Sequence, residues 1–248
     1  MVRGTGTLLN MAAILVGSGL GVALGARLPE RTRVTVTDAL GLVTLVIGGY
    51  NVIALSDADF RAAVGDDATL LVVLGSLLIG GITGSLLQLE ARLERTGAWL
   101  QRRLAKEGAG EGRARFVEGY VSASLVFVVG PLTVLGALSD GLGRGIDQLA
   151  LKSTLDGFAS LAFAASLGWG VAAAALSVGV VQGLLTLAGA LLGGLLPASM
   201  VAAVTATGGV LLLGVGLRLL ALKAVAVGDL LPALLVAPLL TALVAELR

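Results

Sequence analysis

Cysteine and histidine are both missing from this 248-residue chain. Without cysteine there are no disulfides, no iron–sulfur clusters and no thiol catalysis. Without histidine the chain lacks the commonest ligand for zinc, copper and haem, and the general base that works near neutral pH. Charge is scarce as well: 13% of residues are charged, whereas soluble domains carry about 25%. Lysine and arginine exceed aspartate and glutamate by one, so no nucleic-acid partner is implied. No cofactor and no metal site is expected.

What is abundant is apolar. Such residues make up 56% of the chain, and the mean hydropathy is +0.99. A surface that cannot be covered with charge must face lipid. A membrane span needs about 20 mainly apolar residues, and stretches meeting that need occur near 6–26, 36–55, 69–89, 117–138, 151–170, 173–195, 200–221 and 230–247. The expected fold is therefore all-α, a polytopic transmembrane bundle of about eight spans. The first apolar run lacks a small-residue cleavage site and is expected to stay as a helix. Pro131 falls within the fourth span, and Pro232 and Pro238 within the eighth. Proline removes an intrahelical hydrogen bond, so these spans are expected to kink or break.

Loop charge sets the orientation. The stretch 91–115 carries Arg92, Arg95, Arg102, Arg103, Lys106, Arg113 and Arg115. Arg27, Arg31 and Arg33 follow the first span, while 56–68 holds Asp57, Asp59, Asp66 and Asp67 with only Arg61. Excess Lys and Arg stay cytoplasmic, which puts both basic stretches inside and the N-terminus outside. Within the first of them, Leu89, Leu93, Leu100 and Leu104 recur on one helical face, with Trp99 at its edge. That pattern predicts a cytoplasmic extension of the third helix lying on anionic lipid headgroups, or a docking site for a soluble partner. Gly108 to Gly112 would form a flexible joint after it.

The two ends of the chain resemble each other. Gly21, Gly25, Leu28 and Pro29 match Gly189, Gly193, Leu196 and Pro197 at one offset. Gly41, Gly49, Ala54 and Leu55 match Gly208, Gly216, Ala221 and Leu222, and Gly65-Asp66 matches Gly228-Asp229. The organisation implied is a three-span repeat over 1–90, the basic segment 91–115, a two-span unit over 116–170 and a second three-span repeat over 171–248. Five spans separate equivalent helices, so the copies should cross the membrane in opposite directions, as in many secondary transporters. Two small-residue ridges, Gly17/Gly21/Gly25 and Ser76/Gly80/Gly84, suit close helix packing within the chain or in a homo-oligomer.

Polar groups inside spans are costly and therefore candidates for function. Glu118 stacks at i, i+4 with Ser122, and Tyr120 with Ser124. Gly130, Pro131 and Thr133 follow. A helix broken there would expose half-helix ends that can bind ions or small charged groups. Lys152 and Asp156 could form an ion pair in a vestibule. Alternatively, Ser153 caps a helix with Asp156 as its third-position partner while Lys152 snorkels to the interface, and that second arrangement is expected for Lys152. Gln182 lies near the middle of its span, where an amide needs partners, and is expected to glue helices together or to line the site. Asn51 and Arg218 occupy equivalent repeat positions, with Arg218 expected to be a snorkelling anchor.

Enzyme signatures are lacking. There is no Gly-Lys-Ser/Thr phosphate loop, and rhomboid-type serine chemistry would need histidine. The Asp140-Gly141 and Asp156-Gly157 steps lack the further residues of lipid-headgroup transferases, so the chain is not expected to be an enzyme.

Gly130-Pro131-Leu132-Thr133-Val134-Leu135-Gly136, Ser139-Asp140-Gly141, Leu151-Lys152-Ser153-Thr154-Leu155-Asp156-Gly157, Gln182-Gly183 and Thr205-Ala206-Thr207-Gly208-Gly209 together resemble the YqgA/YdfK group of bacterial inner-membrane proteins. The resemblance implies a multi-pass bacterial inner-membrane protein but no substrate. Arg218 departs from it, standing where an asparagine like Asn51 is expected. The expected function is a secondary transporter or ion-conducting protein for a small solute or ion. Its site would lie between the repeats, lined by Glu118, Ser122, Ser124, Thr133, Asp156 and Gln182. The alternative is a non-transporting scaffold or sensor that acts through 91–115.

Overall fold

A computed structural model describes residues 2–27, 29–104, 111–128, 131–192 and 197–247. Among these there is helix and no strand. Helices α1 (Thr5–Gly25), α2 (Glu30–Val52), α3 (Ala58–Val64) and α4 (Ala68–Leu86) cover the first third, with a 3₁₀ turn at Ile53–Ser56. Then come α5 (Leu89–Leu104), α6 (Glu111–Val128), α7 (Pro131–Gly141) and α8 (Asp147–Leu167). The last are α9 (Gly170–Leu192), α10 (Ala198–Leu219), α11 (Val227–Leu230) and α12 (Ala233–Glu246).

Six of the described helical segments are long and apolar enough to cross a membrane: α1, α2 with its 3₁₀ turn, α4, α9, α10 and Val227–Glu246. A seventh results if α6 and α7 form one span, bent by 66° between Val128 and Leu132. The bend falls where Gly130-Pro131 predicted a break, although Gly130 lies outside the described residues. The remaining expected span falls in α8. At 21 residues that helix is long enough, but it carries Asp147, Lys152 and Asp156 and is not among the apolar ones.

The chain divides into two compact units, each drawing on both ends of the sequence. The first takes residues 1–41, 93–128 and 132–195, and the second 42–92, 129–131 and 196–248.

In the first unit, α1 packs on α8. A methyl group added at Gly17, Gly21 or Gly25 would collide with the backbone at Gly157, Leu161 or Ala165 respectively. Both series advance by four, so the two helices run parallel. The α1 ridge is thus filled by the chain's own α8. Against α9 the direction reverses, since Thr7 meets Thr186 at 3.4 Å while Met11 packs on Gly179.

In the second unit, α4 runs antiparallel to α11 and α12, with Gly84 against Asp229 and Gly80 against Ala233. This consumes the second small-residue ridge in the same way. Gly48 of α2 lies against Leu213 and Gly209 against Val52, so α2 and α10 are antiparallel too. Asp57 caps α3 by accepting from the Phe60 N–H at 3.0 Å. Phe60 then packs with Val64, Val72, Val73, Ala202, Ala203, Ala206 and Ala237.

The expected extension of the third helix is instead a separate helix. Between α4 and α5, Gln88 has φ of 52°, a left-handed conformation that ends one helix and re-aims the next. The apolar face of α5 is turned toward protein: Gly97 meets Tyr120, and Ala98 and Leu100 are buried. Its arginines at 92, 95, 102 and 103 are exposed. The Leu104 side chain and residues 108–110 of the expected joint lie outside the described residues, and Gly112 is already inside α6.

Candidate functional site

The ridge on α1 sets up the site. Asn10, Ile14, Gly17, Gly21 and Gly25 share one buried face at helical spacing. Because the glycines let α1 and α8 approach backbone to backbone, Asn10 comes within reach of α8. There its Nδ2 donates to Asp156 Oδ2 at 2.9 Å. On α8, Lys152 and Asp156 are one turn apart, and Lys152 Nζ lies 3.0 Å from both Oδ1 and Oδ2. Lys152 is 7% and Asp156 6% exposed. A buried cation, a carboxylate and an amide thus meet at one level of two parallel helices.

This overturns the arrangement expected for Lys152. Helix α8 begins at Asp147, six residues before Ser153, so Ser153 is in its second turn and cannot be an N-cap. Its hydroxyl donates back to the Leu149 carbonyl at 2.6 Å. Lys152, caught between helices, cannot snorkel.

One turn toward the start of α1, a second carboxylate appears. Asp140, in the last turn of α7, accepts from the N–H groups of Gly4 at 3.1 Å and Gly6 at 3.0 Å. Helix α1 has no capping side chain of its own, so Asp140 supplies one from another helix and places negative charge at the positive end of its dipole.

Gln182 comes from α9. Thr7 pairs with Thr186 and Met11 with Gly179, so Asn10 and Gln182 occupy the interval between these two contacts on antiparallel helices. Both are fully buried. Neither amide atom of Gln182 has a hydrogen-bond partner among the described residues, nor has Asn10 Oδ1. A buried polar group left unpaired costs about 1–3 kcal/mol, which makes this interval an expensive way to build a core.

The other expected residues form a separate group on α6. Ser122 donates to Glu118 Oε1 at 2.9 Å. Tyr120 and Ser124 are joined through Ser177 of α9, at 3.0 Å on each side. Thr133 donates to the Phe127 carbonyl at 3.2 Å, across the bend, satisfying a carbonyl that the end of α6 leaves free. Pro131 is the first residue of α7, where its missing N–H does no harm. Asn51 is half-buried on α2 in the second unit, beside Gly209.

Arg218 is not a snorkelling anchor either. It bonds Glu90, whose other oxygen accepts from the Gly228 N–H at 2.6 Å. The Glu90 N–H in turn donates to Asp229 Oδ1 at 2.9 Å. This network ties the ends of α10 and α11 to the start of α5.

Of the polar residues buried or networked here, the sequence had singled out Asp156 and Gln182 but not Asn10, Asp140 or Glu90. Asn10 could have been found, being the one amide in the first apolar span and as costly there as Gln182. Asp140 and Glu90 sit just beyond expected span ends, and nothing local distinguishes them from loop carboxylates.

Comparison with known proteins identifies the family. The family described as "Protein of unknown function (DUF554)" matches residues 5–242. The chain is similar to the uncharacterised protein YqgA of Escherichia coli (strain K12), 33% identical over 212 residues, covering 86% of this chain and 85% of the relative. It is also similar to the uncharacterised membrane protein YdfK of Bacillus subtilis (strain 168), 28% identical over 212 residues, covering 86% and 84%. No solved structure matches. With its run of apolar spans, the chain is a multi-pass helical membrane protein and belongs to the DUF554 family.

Proposed function

We propose that this protein is a secondary transporter or ion-conducting protein for a small solute or ion, and that Asp156 with Lys152, Asn10 and Gln182 forms its site. The carrying observation is the buried Lys152–Asp156 pair, whose carboxylate bonds Asn10, together with the buried Gln182 amide, which has no hydrogen-bond partner among the described residues. A charged side chain at the centre of a membrane helix costs roughly 2.5–3.5 kcal/mol even on permissive scales. Replacing a buried ion pair by apolar residues is often neutral or stabilising. Packing alone therefore gives little reason to keep this pair. In transport, an entering cation or proton would compete with the Lys152 ammonium for the Asp156 carboxylate. The amides of Asn10 and Gln182 would bind whatever replaces it.

An inverted repeat, as the matches between the two ends of the sequence suggest, would support this reading. Its three equivalent helix pairs are α1 with α9, α2 with α10, and α4 with α11–α12, and the members of each pair lie antiparallel. Asn10 and Gln182 then come from the first helices of the two copies, so rocking one copy against the other would remake the site. The reading places the protein in the bacterial inner membrane with its N-terminus outside, and gives it no enzymatic step.

Flux assays on the full chain in proteoliposomes test it, with candidate cations and protons driven by imposed gradients. Asp156→Asn and Gln182→Ala are expected to abolish or strongly reduce flux, while Glu118→Gln on the separate α6 group has a smaller effect. Equal flux in the wild type and Asp156→Asn would end the assignment.

A second reading is favoured by the exposed arginines of α5 at 92, 95, 102 and 103. With the apolar face buried, these could hold anionic headgroups or an acidic soluble partner, as a scaffold or sensor would need. Under this reading the wild type carries no flux, and replacing all four with glutamine should abolish the partner interaction.

A further inference from the structure

Between α1 and α9, a groove of about 690 Å³ runs along the outside of the first unit. Its volume lies within the range of about 300–1,000 Å³ usual for small-molecule sites. Leu8 and Met11 form one wall, Val180 and Leu187 the other, and Gly183 leaves the floor open. Leu8 is 67% and Val180 61% exposed, so the trough faces lipid. From Leu176 to Ala190 the α9 wall is about 21 Å long at 1.5 Å per residue, rather more than half of a hydrocarbon core of about 30 Å.

Charge marks one end only. Arg3 lines the groove near Thr7, Thr186 and Ala190, and the rest of the lining is uncharged. Among the described residues Arg3 makes no ion pair, and the Asp140 carboxylate accepts instead from the Gly4 and Gly6 N–H groups. A cation at the mouth of an apolar trough about 21 Å long matches an acyl chain ending in an anionic headgroup.

We infer that this groove is a binding site for an anionic phospholipid, with the phosphate on Arg3 and one acyl chain lying between α1 and α9. The site does not depend on whether the protein transports anything. One basic group near a headgroup favours anionic lipid by about 1 kcal/mol, or roughly fivefold in occupancy at 1.4 kcal/mol per factor of ten.

The full chain in phosphatidylcholine nanodiscs, doped with acyl-diazirine phosphatidylglycerol or phosphatidylcholine, tests this by photolabelling and peptide mapping. Phosphatidylglycerol should label the α1 and α9 peptides roughly fivefold more than phosphatidylcholine does. Arg3→Gln should remove that preference. Gly183→Leu should lower groove labelling by both lipids, the side chain entering a floor where nothing lies within 4 Å of an added Cβ. Labelling of the α2 peptide should be unchanged in both variants. Equal labelling by the two lipids in the wild type, or a preference that survives Arg3→Gln, would overturn the proposal. So would cross-links from groove residues to a second copy in place of lipid.

Discussion

The interiors of the two units satisfy their polar groups differently. In the first, several polar groups reach across helices: Asp156, paired with Lys152 on its own helix, to Asn10, Asp140 to the start of α1, and Ser124 to Ser177. In the second, the packed centre is apolar around Phe60, and buried hydroxyls mostly turn back on their own helix. Ser76 donates to the Val72 carbonyl at 2.6 Å and Thr241 to the Ala237 carbonyl at 2.8 Å. The charged network of Glu90, Arg218 and Asp229 is built at helix ends. Self-satisfied hydroxyls suit a scaffold, since each remains paired however its helix moves. Groups that need a partner on another helix hold only one arrangement, and that is the property a site requires.

The largest expected effect breaks this contrast at its strongest point. Asp156→Leu leaves Lys152 buried without its counter-charge, and should lower stability by about 3–5 kcal/mol, read as a fall in thermal unfolding temperature in detergent. The double variant Lys152→Met with Asp156→Leu should recover most of that loss and still carry no flux. If the single and double variants melt alike, the pair is not coupled as the geometry requires.

How far the sequence foretold these interiors depends on scale. Span positions follow from composition alone, because about 20 apolar residues have few alternatives to crossing lipid, and the expected break in the fourth span coincides with the bend between α6 and α7. The site was half legible. Lys152 and Asp156 are visibly one turn apart, but whether they pair or cap depends on where α8 starts. Asp147-Gln148-Leu149-Ala150 carries no stop signal that would move that start to Ser153. Asn10 was passed over because its role rests on the register between α1 and α8, a tertiary quantity set by which glycine faces which carbonyl. The same holds for the Gln88 break: a glutamine in the left-handed region has no local signature.

The second unit offers the intermediate test. Glu90→Gln keeps the shape of the network at α5 but removes the charge that Arg218 and the Gly228 N–H bond. The expected loss is about 1.5–3 kcal/mol, the range for hydrogen bonds to charged groups, with the lower end favoured because both side chains remain slightly exposed. Flux should persist. A flux loss as complete as that of Asp156→Asn would mean that the helix-end network belongs to the transport cycle, and the contrast between the units would fail.

The smallest effect is the sharpest in sign. Gln182 is fully buried with both amide atoms unpaired among the described residues. Gln182→Leu removes a desolvated amide without breaking any protein hydrogen bond, and should stabilise the protein by about 1 kcal/mol while abolishing flux. Thr241→Val in the second unit removes one hydroxyl already paired to its own helix, and should change stability by less than about 1 kcal/mol with flux intact. A stability gain at 182 coupled to lost activity is what a functional residue gives, because its packing has been compromised for binding. If Gln182→Leu instead destabilises, the amide has partners in the folded state and acts as interhelical glue, which would leave Asp156, Lys152 and Asn10 to carry the site alone.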